Sequence, residues 1–163
     1  MRVIACDVAP NPEAEKLGIQ FVSLDQLLAE SDFISLHAAL TAETRGLMGE
    51  AQLRKMKPSA YLINTARGAI VDEAGLLRAL HEGWIAGAAL DAFVVEPLPA
   101  EHPFRTAPNL LLTPHQASFG FDTGAKVSLV AAQAIVDLLA GRRPKWVVNP
   151  DVFAAAHLRA RVQ

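Results

Sequence analysis

Apolar residues come along this chain in two alternating rhythms. Short continuous runs, such as Tyr61-Leu62-Ile63 and Leu110-Leu111-Leu112, are bounded by polar or turn-forming residues, as strands are. Between them apolar positions recur at helical spacing, as Leu76, Leu77 and Leu80 do, which marks a helix with one buried face. The runs predict strands over 2–6, 19–22, 33–36, 60–64, 85–92 and 110–113. Helices are predicted over 12–17, from Leu24 through Leu28, and over 49–56, 72–82 and 122–140. Their ends carry matching chemistry. Ser23 with Gln26 three residues on forms a capping box, Pro58 closes the third helix, and Gly18, Gly83 and Gly141 stand where a helix stops.

Strand and helix in alternation, with strands apolar on both faces, predict a parallel sheet covered by helices, because right-handed crossovers put the connecting helices on the sheet faces. The fold class is α/β. No repeat or low-complexity tract interrupts the pattern, and two Pro-rich stretches, 96–103 and 144–150, read as surface excursions.

Composition narrows the partners. With 163 residues, 52% hydrophobic and 20% charged, the chain can bury a core, which excludes a disordered or collagen-like molecule. Fifteen Lys and Arg against seventeen Asp and Glu give a net charge of −2, and the basic run Gly141-Arg142-Arg143-Pro144-Lys145 is short. That leaves no electrostatic footprint for nucleic acid or anionic lipid, so the expected partner is a small molecule. The single cysteine, Cys6, excludes an internal disulfide framework and a CxxC site and fits a reducing compartment. Flanked by strand residues, Cys6 is expected to be buried packing. No apolar run approaches the roughly 20 residues of a membrane-spanning helix, and the first residues lack a signal-type segment, so a cytoplasmic location is expected.

The polar residues at strand ends carry the candidate chemistry. Asp7 closes the first strand, where a carboxylate can accept both ribose hydroxyls of an adenine nucleotide and repel a 2′-phosphate, favouring NAD over NADP. An Asp after a strand is also a turn former or helix N-cap, so Asp7 needs company. None comes from glycine: among the ten glycines no two stand two residues apart, so there is no GxGxxG. Asn64-Thr65-Ala66-Arg67-Gly68 ends the fourth strand at the crevice position of an open parallel sheet, where the fork of Arg67 suits a carboxylate ligand, or else pairs with a surface acid. Leu90-Asp91-Ala92, with Glu96-Pro97 beyond it, and Thr113-Pro114-His115 mark the ends of the next two strands. A carboxylate beside a histidine favours imidazolium, and Glu96 is the partner expected to make His115 a proton donor; the alternative is a solvated loop histidine. His37, also at a strand end, is a further candidate, but Ala38, Ala39 and Leu40 after it bring no second polar group, and His81, His102 and His157 read as surface residues.

Taken together, Asn64-Thr65-Ala66-Arg67-Gly68-Ala69-Ile70-Val71-Asp72, Gly87-Ala88-Ala89-Leu90-Asp91-Ala92-Phe93, Glu96-Pro97 and Leu112-Thr113-Pro114-His115 resemble the D-isomer-specific 2-hydroxyacid dehydrogenases. The stretch 37–47 and Val148-Asn149-Pro150 agree. The resemblance implies a Rossmann-type doubly wound parallel sheet and NAD-dependent interconversion of a 2-keto acid and a D-2-hydroxy acid, without a metal. It implies that Arg67 binds the substrate carboxylate and polarises the ketone, His115 donates the proton and Glu96 orients His115. Asp91 would hold the nicotinamide carboxamide, Asp7 the adenosine ribose, and Ala38, Thr65, Ala66 and Ser118 would line the cofactor together with Arg67 and His115.

The same resemblance implies that residues 1–150 are a partial NAD-binding domain without the first strand and glycine-rich turn, and that 151–163 are a C-terminal tail returning to a substrate domain. A central sheet position would then separate the first two strands from the rest, leaving the isolated chain marginal in stability and weak in NAD binding. The Ser118-Phe119-Gly120-Phe121-Asp122 stretch departs from the family's more usual Thr and Glu. Relatives that pair through their nucleotide domains imply a homodimer, with the loop 93–104 as a candidate contact through Phe93, Leu98 and Phe104, unless that loop packs on its own domain. The competing function is a non-catalytic NAD-sensing or dimerisation module of corepressor type.

Overall fold

The computed structural model describes residues 1–154 and divides the chain into two compact units, Met1–Ala117 and Ser118–Gln163. In the first, strands β1 (Ile4–Ala5), β2 (Gln20–Phe21), β3 (Phe33–Leu36), β4 (Tyr61–Asn64), β5 (Gly87–Leu90) and β6 (Leu110–Leu112) are accompanied by helices α1 (Pro12–Lys16), α2 (Leu24–Glu30), α3 (Glu50–Leu53) and α4 (Glu73–His81). Every strand pair is parallel. β3-β4-β5-β6 form one sheet in that order, and β1 pairs with β2 in a second, with no ladder between the two sheets among the described residues. This is the Rossmann-type α/β arrangement, with the expected division after the second strand.

Alternation along the strands decides where the core lies. Ile34 and Leu36 of β3, Leu62 of β4 and Ala88 and Leu90 of β5 are buried with Leu28 of α2, Leu53 of α3 and Leu76, Ala79 and Leu80 of α4. Each fully buried Leu or Ile is worth about 1.5–3 kcal/mol, so this one face carries most of the unit's cohesion. Phe33, Tyr61 and Leu111 point from the other face and are exposed, Phe33 and Tyr61 with their rings stacked at 5.6 Å. The register puts Leu36 beside Asn64, Asn64 beside Leu90 and Leu90 beside Leu112. Four successive carboxyl ends therefore lie along one edge.

Several boundaries differ from the sequence reading for physical reasons. The helix expected over 49–56 is α-helical only over Glu50–Leu53, because Lys55 and Met56 switch to bonds three residues back. The Ser23 oxygen accepts the Gln26 N–H at 3.2 Å, while the Gln26 side chain binds Glu30 at 2.8 Å, so half of the capping box forms. Cys6 is exposed, contrary to expectation, since β1 is two residues long and buries neither of them fully. The stretch 96–103 leads into a 3-10 turn, Pro103–Thr106, and Phe93 and Phe104 belong to the core. Those two phenylalanines pack on their own domain and cannot serve as a partner contact. His102 is also no plain surface residue: it caps that 3-10 turn, its ring accepting the Phe104 N–H at 3.2 Å. His81 is exposed as expected, and His157 lies outside the described residues.

The second unit holds α5 (Phe121–Leu139), which ends at Ala140 with Gly141 at φ 71°, and a 3-10 turn, Pro150–Ala154. Asp137 fixes the helix end by accepting from Arg142 Nε and Nη2 and from Gln133.

Candidate active site

The carboxyl edge of the four-stranded sheet gathers the sequence-predicted residues of β3 to β6. After β4 the chain turns sharply, and the turn is built from inside. Asn64 is 0% exposed; its amide donates to the Arg67 carbonyl at 2.9 Å and its Oδ1 accepts the Ala66 N–H at 3.0 Å. A buried side-chain amide must be satisfied, and doing so here fixes residues 65–67. Thr65 and Arg67 face solvent, Arg67 with one guanidinium N–H on the Ala66 carbonyl at 2.7 Å. Among the described residues Arg67 pairs with no carboxylate, which removes the surface-pair alternative and leaves most of its fork open. Gly68 follows because nothing larger fits: a Cβ there would lie 2.1 Å from the Phe93 carbonyl carbon.

Asp91 organises the edge at β5. It is 3% exposed, and its Oδ1 accepts from the Thr113 hydroxyl at 2.5 Å and the Gln116 N–H at 2.9 Å, while Oδ2 accepts the Ala117 N–H at 2.9 Å. Its carbonyl also takes the His115 N–H at 2.9 Å. Burial pushes the Asp91 carboxyl up, but the bonds from Thr113, Ala117 and Gln116 and the charge of His115 outweigh it, and the group sits below its ordinary value. These bonds hold His115 at φ 51°, a left-handed conformation that costs a non-glycine residue about 1–2 kcal/mol. Strain of this kind aims a side chain where the surrounding bonds require it.

His115 Nδ1 lies 2.7 Å from Glu96 Oε2, and Glu96 Oε1 accepts the Phe93 N–H at 2.9 Å. The Glu96 carboxyl is held below the usual range by the bond to His115, then by the Phe93 N–H, against a smaller upward push from burial, with the charges of His115 and Arg67 adding to the depression. Arg67 thus reaches the same cluster electrostatically. An open cavity of about 320 Å3 borders the pair, walled by Phe93, Pro97, Leu98, Leu112 and Pro114. An imidazole oriented through Nδ1 offers its Nε2 to a reacting oxygen, and a guanidinium nearby can hold a carboxylate. Together they can transfer a proton on a small acid.

Within the first unit, Ala38 and Asp7 make no hydrogen bond to this cluster among the described residues. Ala38 is exposed at the end of β3, after His37, whose Nε2 is 2.9 Å from the Ser35 hydroxyl. Asp7 is exposed after β1 and its Oδ1 accepts the Ala9 N–H at 3.0 Å, a local turn. Ser118 opens the second unit, where its carbonyl accepts the Gly120 N–H at 2.9 Å. Asn64 and Thr113 are the positioning residues that sequence reasoning missed. A signal existed for Asn64, a polar residue ending an apolar strand, since such a group is buried only if it has partners.

The family model described as D-isomer specific 2-hydroxyacid dehydrogenase, NAD binding domain, matches residues 1–117. The chain belongs to this family. It is 44% identical over 153 residues to the glyoxylate reductase of Korarchaeum cryptofilum, covering 93% of this chain and 46% of the relative. The Thermofilum pendens glyoxylate reductase is 48% identical over 155 residues, covering 94% and 46%. Among solved structures, the D-isomer specific 2-hydroxyacid dehydrogenase of Lactobacillus delbrueckii ssp. bulgaricus in its NAD-complexed form matches with TM-score 0.81 and 37% identity over 91% of this chain and 48% of that one. The TT0316 protein of Thermus thermophilus matches with TM-score 0.84 and 42% identity over 91% and 46%. The chain spans about half the length of the curated relatives it matches.

NAD is the cofactor of this dehydrogenase domain, and the residues present fit part of it. Asp7 keeps a carboxylate oxygen without a hydrogen bond among the described residues, as a ribose acceptor must. A carboxylate accepts at about four positions, and Asp91 has three occupied, leaving one on Oδ2. For the pyrophosphate the sequence offers no GxGxxG turn.

Proposed function

We propose that this chain is the cofactor-binding part, residues 1–150, of an enzyme that interconverts a 2-keto acid and a D-2-hydroxy acid. The observation that carries the reading is the 2.7 Å contact between His115 Nδ1 and Glu96 Oε2 on the edge that also bears Arg67. Arg67 binds the substrate carboxylate and draws charge from the adjacent ketone oxygen. His115 delivers its proton from Nε2 to that oxygen in reduction and takes it back in oxidation, with Glu96 keeping the ring turned. NAD, when bound, supplies the hydride exchange. Asp7 and Asp91 are the residues that would hold its ribose and carboxamide, with Ala38, Thr65, Ala66 and Ser118 lining it. Glyoxylate is the first substrate to try, since the relatives at 44% and 48% identity are named glyoxylate reductases. A reducing, cytoplasmic location is the setting that a single cysteine suits, and a homodimer is the assembly we expect, to be read by light scattering.

The test is turnover in a full-length protein carrying this segment. Arg67→Ala removes one partner of a desolvated pair, a loss of about 2–5 kcal/mol in transition-state binding. His115→Ala lowers kcat by about 10²–10⁴ with NAD affinity little changed, as loss of a positioned general acid does. Near-normal turnover in either variant would refute the assigned roles. Equal losses of NAD binding and turnover in His115→Ala would make that residue structural.

A further inference from the structure

The segment that presents Glu96 to His115 meets one carboxylate at both ends, by a hydrogen bond at one and a longer contact at the other. Glu73 stands in the first turn of α4; its Oε1 accepts the Val94 N–H at 3.2 Å, and its Oε2 lies 3.5 Å from His102 Nε2. Val94 and His102 bracket the segment, and Glu96 stands two residues beyond the first of them. His102 is itself oriented. Its Nδ1 accepts the Phe104 N–H at 3.2 Å, which leaves the ring N–H on Nε2, the atom that faces Glu73. The His102 ring packs 4.8 Å from that of Phe104, which is 1% exposed. At 3.5 Å the approach to Glu73 is an electrostatic contact, longer than a good hydrogen bond. The two side chains are only 24% and 19% exposed, so the contact is partly shielded from water.

We infer that Glu73 and His102 are a positioning pair: by holding both ends of segment 94–102 to α4 they set where Glu96 meets His115. The inference rests on the reading of Glu96 and His115 given above. Neither residue touches the cluster directly, since among the described residues neither bonds to Arg67, Glu96 or His115; both act through the segment. One carboxylate with two oxygens suits the task, one oxygen for each end. Arg105 braces the interior of the segment by donating to the Leu98 and Pro99 carbonyls at 2.7 and 2.8 Å.

Titration of the Glu96 carboxyl, followed by ¹³C NMR in the full chain, reads the placement. His115→Ala takes away the chief partner and raises the Glu96 midpoint. Glu73→Ala is expected to raise it by at least half as much, and Glu73→Gln, which still offers an oxygen to the Val94 N–H, by less than Glu73→Ala. Arg78→Ala, which breaks the α4 ion pair with Glu50, leaves the midpoint where it was and separates placement from general loosening of the helix. A midpoint that follows His115→Ala but ignores both Glu73 variants overturns the positioning pair alone. One that ignores His115→Ala overturns the Glu96–His115 reading and the pair with it. Should the Glu73 variants not fold, amide exchange in the unmodified chain decides: slow exchange at Val94 and Phe104 is expected, and unprotected exchange at Val94 overturns the inference.

Discussion

Asp91 and Asp7 each follow an apolar strand, and the molecule treats them differently. Asp91 ends β5 between two neighbours in the sheet, where the loop after β6 folds back over it, so its carboxylate accepts three internal bonds and is buried. Asp7 follows β1, which among the described residues pairs only with β2, and its carboxylate closes a local turn in solvent. The same residue type after the same kind of run becomes a structural centre or a free charge according to what crosses its strand end. Catalytic geometry calls for the first, because side chains must be held within fractions of an ångström. A charge that meets a soluble ligand can remain the second.

Glycine gives the hardest test of that contrast. Gly68 on the site edge and Gly18 in the β1–β2 crossover can both be changed to alanine in the full chain and followed by urea unfolding. A Cβ at Gly68 would lie 2.1 Å from one backbone atom of Phe93 and 2.5 Å from two more, so backbone must move, at a cost of about 3 kcal/mol or more. At Gly18, φ is +83° but nothing lies within 4 Å, and the cost is the left-handed conformation alone, about 1 kcal/mol. Equal losses would mean that the close approach between the Arg67 turn and the Glu96 segment does not exist.

Asp91 supplies the next largest effect and a pH dependence. Asp91→Asn turns one acceptor oxygen into a donor against the Ala117 or the Gln116 and Thr113 donors, destabilising by about 2 kcal/mol at neutral pH. The carboxyl is depressed in the folded state, so its stabilisation is complete above the unfolded value of about 3.9 and is lost as pH falls through the lower folded value. Thermal melts of the unmodified chain should therefore weaken in acid below about pH 4, and those of Asp91→Asn should weaken less. An identical acid limb in both would remove Asp91 from the explanation.

Much of this was legible in the sequence because it depends on local rules. Run length and helical spacing located the six strands and the helices α1 to α5 of the described residues, and the strand-end residues Arg67, Asp91 and His115 fell on one edge because parallel strands share a direction. What was illegible depends on residues far apart in the chain. Phe93 and Phe104 could be read as a partner contact or as packing on their own domain, because they flank a Pro-rich stretch whose course the sequence does not show; the turn at Pro103 sends Phe104 into the core. Cys6 looked buried because a strand was expected over 2–6, and a strand of two residues cannot bury its flank. His102 gave no signal at all, since its value lies in Glu73, twenty-nine residues earlier.

The smallest effect on stability is expected at Asp7, where the contrast with Asp91 is sharpest. Its one side-chain bond is local and exposed, so Asp7→Ala should change unfolding stability by less than about 0.5 kcal/mol, the range of surface substitutions. Its effect should appear in cofactor choice instead. A carboxylate at the end of this strand accepts ribose hydroxyls and repels a 2′-phosphate, so a full-length protein carrying the segment should prefer NAD, and Asp7→Ala should narrow the preference by admitting NADP. Steady-state kinetics with the two cofactors measures this directly. An NADP-preferring parent would refute the ribose assignment. A variant that lost stability without changing the preference would make Asp7 a turn former and nothing more, because a residue held only by its own turn can influence a distant equilibrium solely through the ligand it meets.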